Sequence, residues 1–468
     1  MALTLQLDLA KQVYCLRTMK NVKETSVITA VKEQYEKFPY PHINRLEIED
    51  SEHDLRASFN HEFKLQGSRK LEPGCTMWVP GCGTRWAVML ALQFKDARII
   101  ASDLSKASLN AQAALAGNLD ISNIEFRNEN LLTVPYEEKF DFISCVGVLH
   151  HLPSPQQGFD VIYRALKPTG LAEIMVYDHI NRHYSIRMQN ILNIFDADRK
   201  LNAQSRFELA AQILRALNQH ARTPPELKRV LNYLDSVSGF SQELADFISH
   251  PQEHYFDVPS LLSSLDKSNL QVHSWKMPYF FDPTAMLDDS SLKARVSDMA
   301  DAEKAHLGHL LSSGFLEVYI ERKCNRGAVE AQDIRKYRVR AIPNNKVIKL
   351  HDNKVSSVEE KSKTTIKGGR LLFDGGERRP AVSSYGYAPD CITMRPRRLL
   401  SLSDLNLDTE LDQSHVDDIL DLAKTSITID EIVTTLVKRY DENVNEEQLV
   451  KLCGYLCRTP YRLLAIVN

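Results

Sequence analysis

Between residues 76 and 178, short apolar runs alternate with stretches whose apolar positions recur at helical spacing. TMWVPG, ARIIASD, IEFRNEN, FDFISCVGV and LAEIMVYD read as five strands, and RWAVMLALQF, KASLNAQAALAGN and QQGFDVIYRAL as the helices between them. That rhythm predicts an α/β fold: a doubly wound, Rossmann-like, mostly parallel sheet with helices on both faces, occupying residues 71–182.

The flanks carry other patterns. Residues 1–70 read as a helical and aromatic arm, with two prolines interrupting the helix in YEKFPYPHINRLE, Tyr35–Glu47. Residues 183–313 change to long helical periodicities such as QSRFELAAQILRALNQH and predict a helical substrate lid. GFLEVYIERK then returns to strand spacing, so 314–324 is expected to rejoin the first sheet. Residues 325–468 form an accessory region, with short antiparallel strands followed by three helices that include TIDEIVTTLVKRY and NEEQLVKLCGYLC.

Composition narrows the class. The 468 residues exceed a single simple core, and 43% hydrophobic with 25% charged positions is ordinary for a globular protein. A net charge of −3 makes a general nucleic-acid or membrane-surface role unlikely. The basic stretches RKYRVRAIPNNKVIK and RPRRLL read first as solvated faces. Eight cysteines show no CxxC pair, which fits free thiols in a reducing cytoplasm and predicts no metal. No apolar run spans a bilayer, and Asp8 and Lys11 break the apolar core a secretory leader requires.

Candidate chemistry lies at the strand ends, where a doubly wound sheet binds its ligand. In VPGCGT, Gly81 and Gly83 permit a tight turn and close approach of a ligand to the backbone. Trp86 stands where a dinucleotide fingerprint has its third glycine, so a pyrophosphate is disfavoured. Asp103, closing the second strand, is placed to accept hydrogen bonds from both hydroxyls of a ribose. The pattern asks for a nucleoside without a pyrophosphate.

In order and spacing, VPGCGT, ASDLS, RNENLLTVP, FDFISCVGVLHHLPSP and ALKPTGLAEIMVY resemble the class I S-adenosylmethionine-dependent methyltransferases. QYEKFPYP and HPQEHYFDVPSLLSSL extend the likeness to bacterial members of unassigned substrate. The resemblance implies S-adenosylmethionine as cofactor, its methionine part against Gly81, Cys82 and Gly83 and its ribose on Asp103. It also implies Leu104 under the adenine, Asn130 and Leu131 at the adenine edge and face, and Val146 and Gly147 as floor. The chain departs from the pattern at Val79, Arg85 and Asn130, where the family usually has an acid, a glycine and an aspartate.

Methyl transfer chiefly demands alignment of nucleophile, methyl and sulfur, with a base only for a protonated acceptor. His150 and His151 are the candidate bases, and His150 matches the catalytic histidine of plant-type hydroxyl O-methyltransferases. Histidines there also pack or cap the next helix. Tyr35, Phe38 and Tyr40 are candidates to close over a sulfonium, and Tyr35, Tyr40, His254 and Tyr255 are candidate substrate contacts. The expectation is a cytoplasmic enzyme methylating a small-molecule or carrier- or peptide-bound acceptor, oxygen before nitrogen. The alternative is an idle methyltransferase-like scaffold that recruits a protein partner. The oligomeric state is not encoded in any of these patterns.

Overall fold

The computed structural model describes residues 24–41, 45–49, 55–65, 67–198, 200–218, 223–236, 242–276, 278–312, 315–323, 334–341, 344–351, 354–362, 364–367, 370–373, 413–440, 445–456 and 464–467. The readings made for the first 23 residues and for RPRRLL fall outside them.

Helix α1 covers 24–37. After β1 (Arg45–Glu49) and α2 (Arg56–Glu62) the chain alternates β2 (Thr76–Pro80), α3 (Trp86–Gln93), β3 (Arg98–Asp103), α4 (Lys106–Asn118), β4 (Ile124–Asn128), β5 (Phe140–Val146), α5 (Pro155–Ala165) and β6 (Leu166–Val176). Four helices follow: α6 (His183–Phe195), α7 (Ala203–Asn218), α8 (Pro225–Ser236) and α9 (Gln242–Ser249). Then come α10 (Val258–Lys267), β7 (Leu270–Trp275), α11 (Ser290–Ser297), α12 (Asp301–Ser312) and β8 (Leu316–Arg322).

The main sheet has seven strands in the order β4-β3-β2-β5-β6-β8-β7. β2 to β6 pair in parallel, and β8 inserts antiparallel between β6 and β7. The order reverses at β2, beside which a crevice opens at the carboxyl ends. Trp78, Phe140, Phe142, Ile143 and Ile174 are almost wholly buried, because strands covered on both faces are apolar throughout.

The five predicted strands are present, and β8 (Leu316–Arg322), within the segment expected to rejoin the sheet, pairs with β6. The lid boundary differs. Of 183–313, only α6–α9 form a separate helical body, with a core of Leu192, Phe207, Leu214, Leu231 and Leu244 that Phe38 of the arm also enters. α10 and β7 instead complete the main sheet as a helix and edge strand. β7, LQVHSW, carries little apolar pattern because five of its six side chains are only half-buried, so its strand character stays hidden in the sequence.

The accessory region begins with β9 (Arg338–Ala341), β10 (Asn344–His351), β11 (Lys354–Ser362), β12 (Thr364–Lys367) and β13 (Arg370–Phe373), and continues with α13 (Gln413–Leu422), β14 (Ile427–Thr428), α14 (Ile429–Arg439), α15 (Glu446–Leu456) and β15 (Leu464–Val467). β10 and β11 form a hairpin whose outer partner is β1. β14, β9 and β15 make a small antiparallel sheet on which α13–α15 pack, with Val339, Ile419, Ile432, Leu436, Leu449 and Leu464 inside. Among the described residues no helix is long and apolar enough to cross a membrane.

Candidate active site

The turn after β2 places Gly81 at φ +60° and Gly83 at φ +59°, the left-handed region that glycine enters without steric cost. A Cβ at Gly81 would lie 2.4 Å from Val148 Cγ2, and one at Gly83 only 2.7 Å from the Tyr40 carbonyl oxygen. The turn is braced from below by Gln112 of α4, whose amide donates to the Cys82 and Gly83 carbonyls and accepts from the Ala87 N–H. Asp103 accepts from the Gly83 N–H at 3.0 Å and the Ser105 N–H at 2.8 Å. Burial outweighs those two bonds and pushes its carboxyl up to about 6.

Around this turn lies a cavity of about 150 Å³, lined mostly by apolar surface. Gly81, Cys82, Gly83, Asp103 and Leu104 line one end. Asn130, Leu131, Val146 and Gly147 line its side and floor, so all nine residues expected around the cofactor meet there. Asn130 Oδ1 is partly engaged as the cap of the turn at Leu131–Thr133, accepting from the Leu132 N–H. Arg85 and Trp86 also line the cavity, and the Trp86 indole donates to Ser144 Oγ, which donates to the buried Glu173.

The other end is aromatic and polar. Tyr35, Tyr40 and His151 line it, together with Met175 and Tyr177, which the sequence reading did not select. Tyr177 follows the carboxyl end of β6, a position strand order alone points to. Arm and turn are tied by a Thr84 hydroxyl donating to the Pro41 carbonyl, next to the cis Tyr40–Pro41 peptide.

His150 is corrected. It is fully buried behind His151, stacks on Tyr177 at 3.7 Å between ring centroids, and does not line the cavity. Only one of two adjacent residues in the short turn at Leu149–His151 faces the cleft. Hydrogen bonding also fixes the tautomers. The Tyr177 N–H donates to His150 Nδ1, so the His150 proton sits on Nε2 and points at His151 Nε2, 3.1 Å away. His151 Nδ1–H then donates to the Gln252 carbonyl at 2.9 Å, while the Gln252 N–H donates to His250 Nδ1. Burial holds His150, His151 and His250 below the ordinary histidine range, so all three are neutral near pH 7. Neither cleft histidine keeps a free lone pair for a base.

His254 and Tyr255 are likewise not among the lining residues. His254 Nε2 meets the Gln252 amide at 3.0 Å, and Tyr255 Oη donates to Glu253 and lies 2.8 Å from the Gln189 amide, which places both in the packing between lid and sheet. That packing centres on Asp246 of α9, reached by two phenols: Tyr35 Oη donates to Oδ1 at 3.0 Å and Tyr177 Oη to Oδ2 at 3.1 Å. Arg182, paired with Glu253 and lying over the Tyr177 ring at 3.9 Å, is buried alongside. Nothing local in the sequence marks Asp246 or Arg182, since each gains its role only when α6 and α9 close on β6. His151, Asp246 and His250 bring potential ligand atoms within 4.8 Å of one another. With His151 Nε2 accepting from His150 and His250 Nδ1 from the Gln252 N–H, neither histidine turns a lone pair toward a shared metal.

Comparison with known proteins agrees with this geometry. Residues 79–174 match the family model described as a methyltransferase domain. An uncharacterized protein of Synechococcus is 26% identical over 294 residues, 61% of this chain and 69% of its own length. The structure of PKMT2 from Rickettsia typhi is similar in fold, with a TM-score of 0.51 at 12% identity over 89% of this chain and 77% of that one. The same protein in complex with AdoHcy gives 0.50 at 13% identity, covering 88% and 75%.

Proposed function

We propose that the chain, whose residues 79–174 match a methyltransferase domain, is a class I S-adenosylmethionine-dependent methyltransferase that methylates a heteroatom arriving with a proton, a hydroxyl or phenolic oxygen before a nitrogen, on a small molecule or a carrier- or peptide-bound acceptor. One observation carries the reading: a single cavity is lined by the glycine turn and Asp103 and also by Tyr35 and Tyr177.

The residues present fit the cofactor. Gly81 and Gly83 line the cavity with bare backbone, which a ligand can approach closely, and Asp103 keeps lone pairs beyond the two taken by backbone N–H groups. When bound, S-adenosylmethionine supplies an electrophilic methyl group on a sulfonium. In this reading Gly81–Gly83 receive its methionine part, Asp103 its ribose, Leu104 and Leu131 its adenine faces and Asn130 the adenine edge, with Gly147 under the methyl. Tyr35 and Tyr40 close the arm over the site and exclude water. Because the Tyr35 proton is committed to Asp246, the Tyr35 oxygen serves the acceptor only as a hydrogen-bond acceptor and selects a donor on it.

The test is calorimetric titration with S-adenosylmethionine and S-adenosylhomocysteine, beside Asp103→Ala, followed by labelled methyl transfer to phenols, alcohols and amines. Loss of two hydrogen bonds to a charged group predicts about 10²-fold or more weaker binding in the variant. Equal affinity would remove the ribose assignment.

A further inference from the structure

We propose that Tyr35 is a catalytic residue, its hydroxyl taking the acceptor's proton while passing its own to Asp246. The proposal rests on the reading that the acceptor carries a proton into the site.

Such an acceptor needs somewhere to send that proton. The usual candidate, a histidine, is closed off here: the chain of bonds from the Tyr177 N–H through His150 and His151 to the Gln252 carbonyl begins on a backbone amide that cannot accept a proton. Reversing it would set a proton on His150 Nδ1 against the Tyr177 N–H. The histidine pair therefore holds the turn after β5 in place and moves no proton.

Tyr35 stands differently. Its ring lines the cavity, and its hydroxyl is bonded at 3.0 Å to a carboxylate that the cavity does not reach. Asp246 is buried, with Tyr177 Oη on its second oxygen and Arg182 and a ring nitrogen of His250 nearby. Tyr35 itself is held well above the ordinary phenol range by burial and by Asp246, so it passes a proton on in one concerted movement and does not ionise. A phenol between a wet cavity and a dry carboxylate is the arrangement a two-step relay requires.

The step balances as follows. A lone pair on the acceptor oxygen forms the bond to the methyl carbon as the carbon–sulfur bond breaks and leaves its pair on sulfur. The acceptor proton moves to Tyr35 Oη, and the Tyr35 proton moves to Asp246 Oδ1. After product release the relay runs backward: Asp246 returns its proton to Tyr35 Oη, which gives one to water entering the cavity. The relay is complete only when α1, α9 and the end of β6 are together, so lid position and base strength are coupled.

The experiment uses the full chain, S-adenosylmethionine and two probe acceptors, 4-nitrophenol and 4-cresol, at a mildly alkaline pH where the first is an anion and the second is not. Wild type is compared with Tyr35→Phe and Asp246→Asn, with S-adenosylhomocysteine titration reporting that each variant keeps a formed site. The expected result is a loss of about 10²- to 10⁴-fold on 4-cresol in both variants, with 4-nitrophenol nearly unaffected, since an anion needs no base. Equal losses on both phenols, or none, overturn the relay and leave the hydroxyl reading standing. A wild type that binds the cofactor yet methylates neither phenol overturns the hydroxyl reading, and the relay with it.

Discussion

At the scale of single residues, Asp103 makes the sharpest prediction. Its carboxyl is pushed up to about 6, so it is ionised above that pH and, in the proposed site, accepts from both ribose hydroxyls. As pH falls through 6 it gains a proton and loses acceptor capacity, so cofactor affinity weakens on the acid side and is level on the alkaline side. Titration calorimetry across this interval checks it, and an affinity that rises toward acid would contradict the sign. Gly83→Ala makes a second prediction. The left-handed φ costs an L-residue about 1–2 kcal/mol, and the new Cβ meets the Tyr40 carbonyl at 2.7 Å, so the arm must move away. Affinity for S-adenosylhomocysteine is expected to drop about tenfold or more, with urea unfolding shifted by a similar 1–2 kcal/mol. These residues were legible because strand ends are where the topology puts a ligand, and glycine and aspartate mark such ends in one dimension. His150 was misread for the complementary reason. Which of two adjacent histidines faces a cleft depends on the turn that carries them, and composition is silent about that. Asp246 was not legible at all, since its two phenol partners lie 211 and 69 residues away.

At the scale of elements, what the pattern gave away depended on burial. Strands covered on both faces read as plain apolar runs, which is why β2, β3, β5 and β6 were visible. β7 at the edge was not, nor the pairing of polar β1 with β10 across some three hundred residues, where no local periodicity records the partner. The junction between lid and sheet is held by Arg182, which burial opposes but which Glu253, Tyr177 and Asp246 keep charged. It pairs with Glu253 and lies over Tyr177 and Phe247. Arg182→Met leaves a buried carboxylate with no cation and is expected to cost about 3–5 kcal/mol. Adding Glu253→Gln should recover part of the loss, because the uncompensated charge goes with it. Urea unfolding of the two single variants and the double variant tests this. A double variant no more stable than Arg182→Met would mean that the ring contacts dominate and the ion pair does not.

At the scale of the whole molecule, binding and accessory functions sit in separate cores. Every residue lining the cavity lies between Ile28 and Tyr177. The core around Val339, Ile432, Leu436 and Leu452 draws its buried residues only from Val339 and from Val416 to Leu464. The two meet at α2, where Ala57 packs against the smaller core and the His61 and Tyr337 rings approach to 4.8 Å. A ligand stabilises only what must be folded to bind it, by about 2.7 kcal/mol at a hundredfold excess over Kd. S-adenosylhomocysteine should therefore slow amide exchange in β2, β3 and the glycine turn far more than in α14 and α15. If the contact at α2 were strong enough to join the two cores into one cooperative unit, the slowest amides of both would gain the same protection. Because the buried residues of the two cores are separate sets, the separated response is the expected one, and it would place the accessory region outside the energetics of cofactor binding.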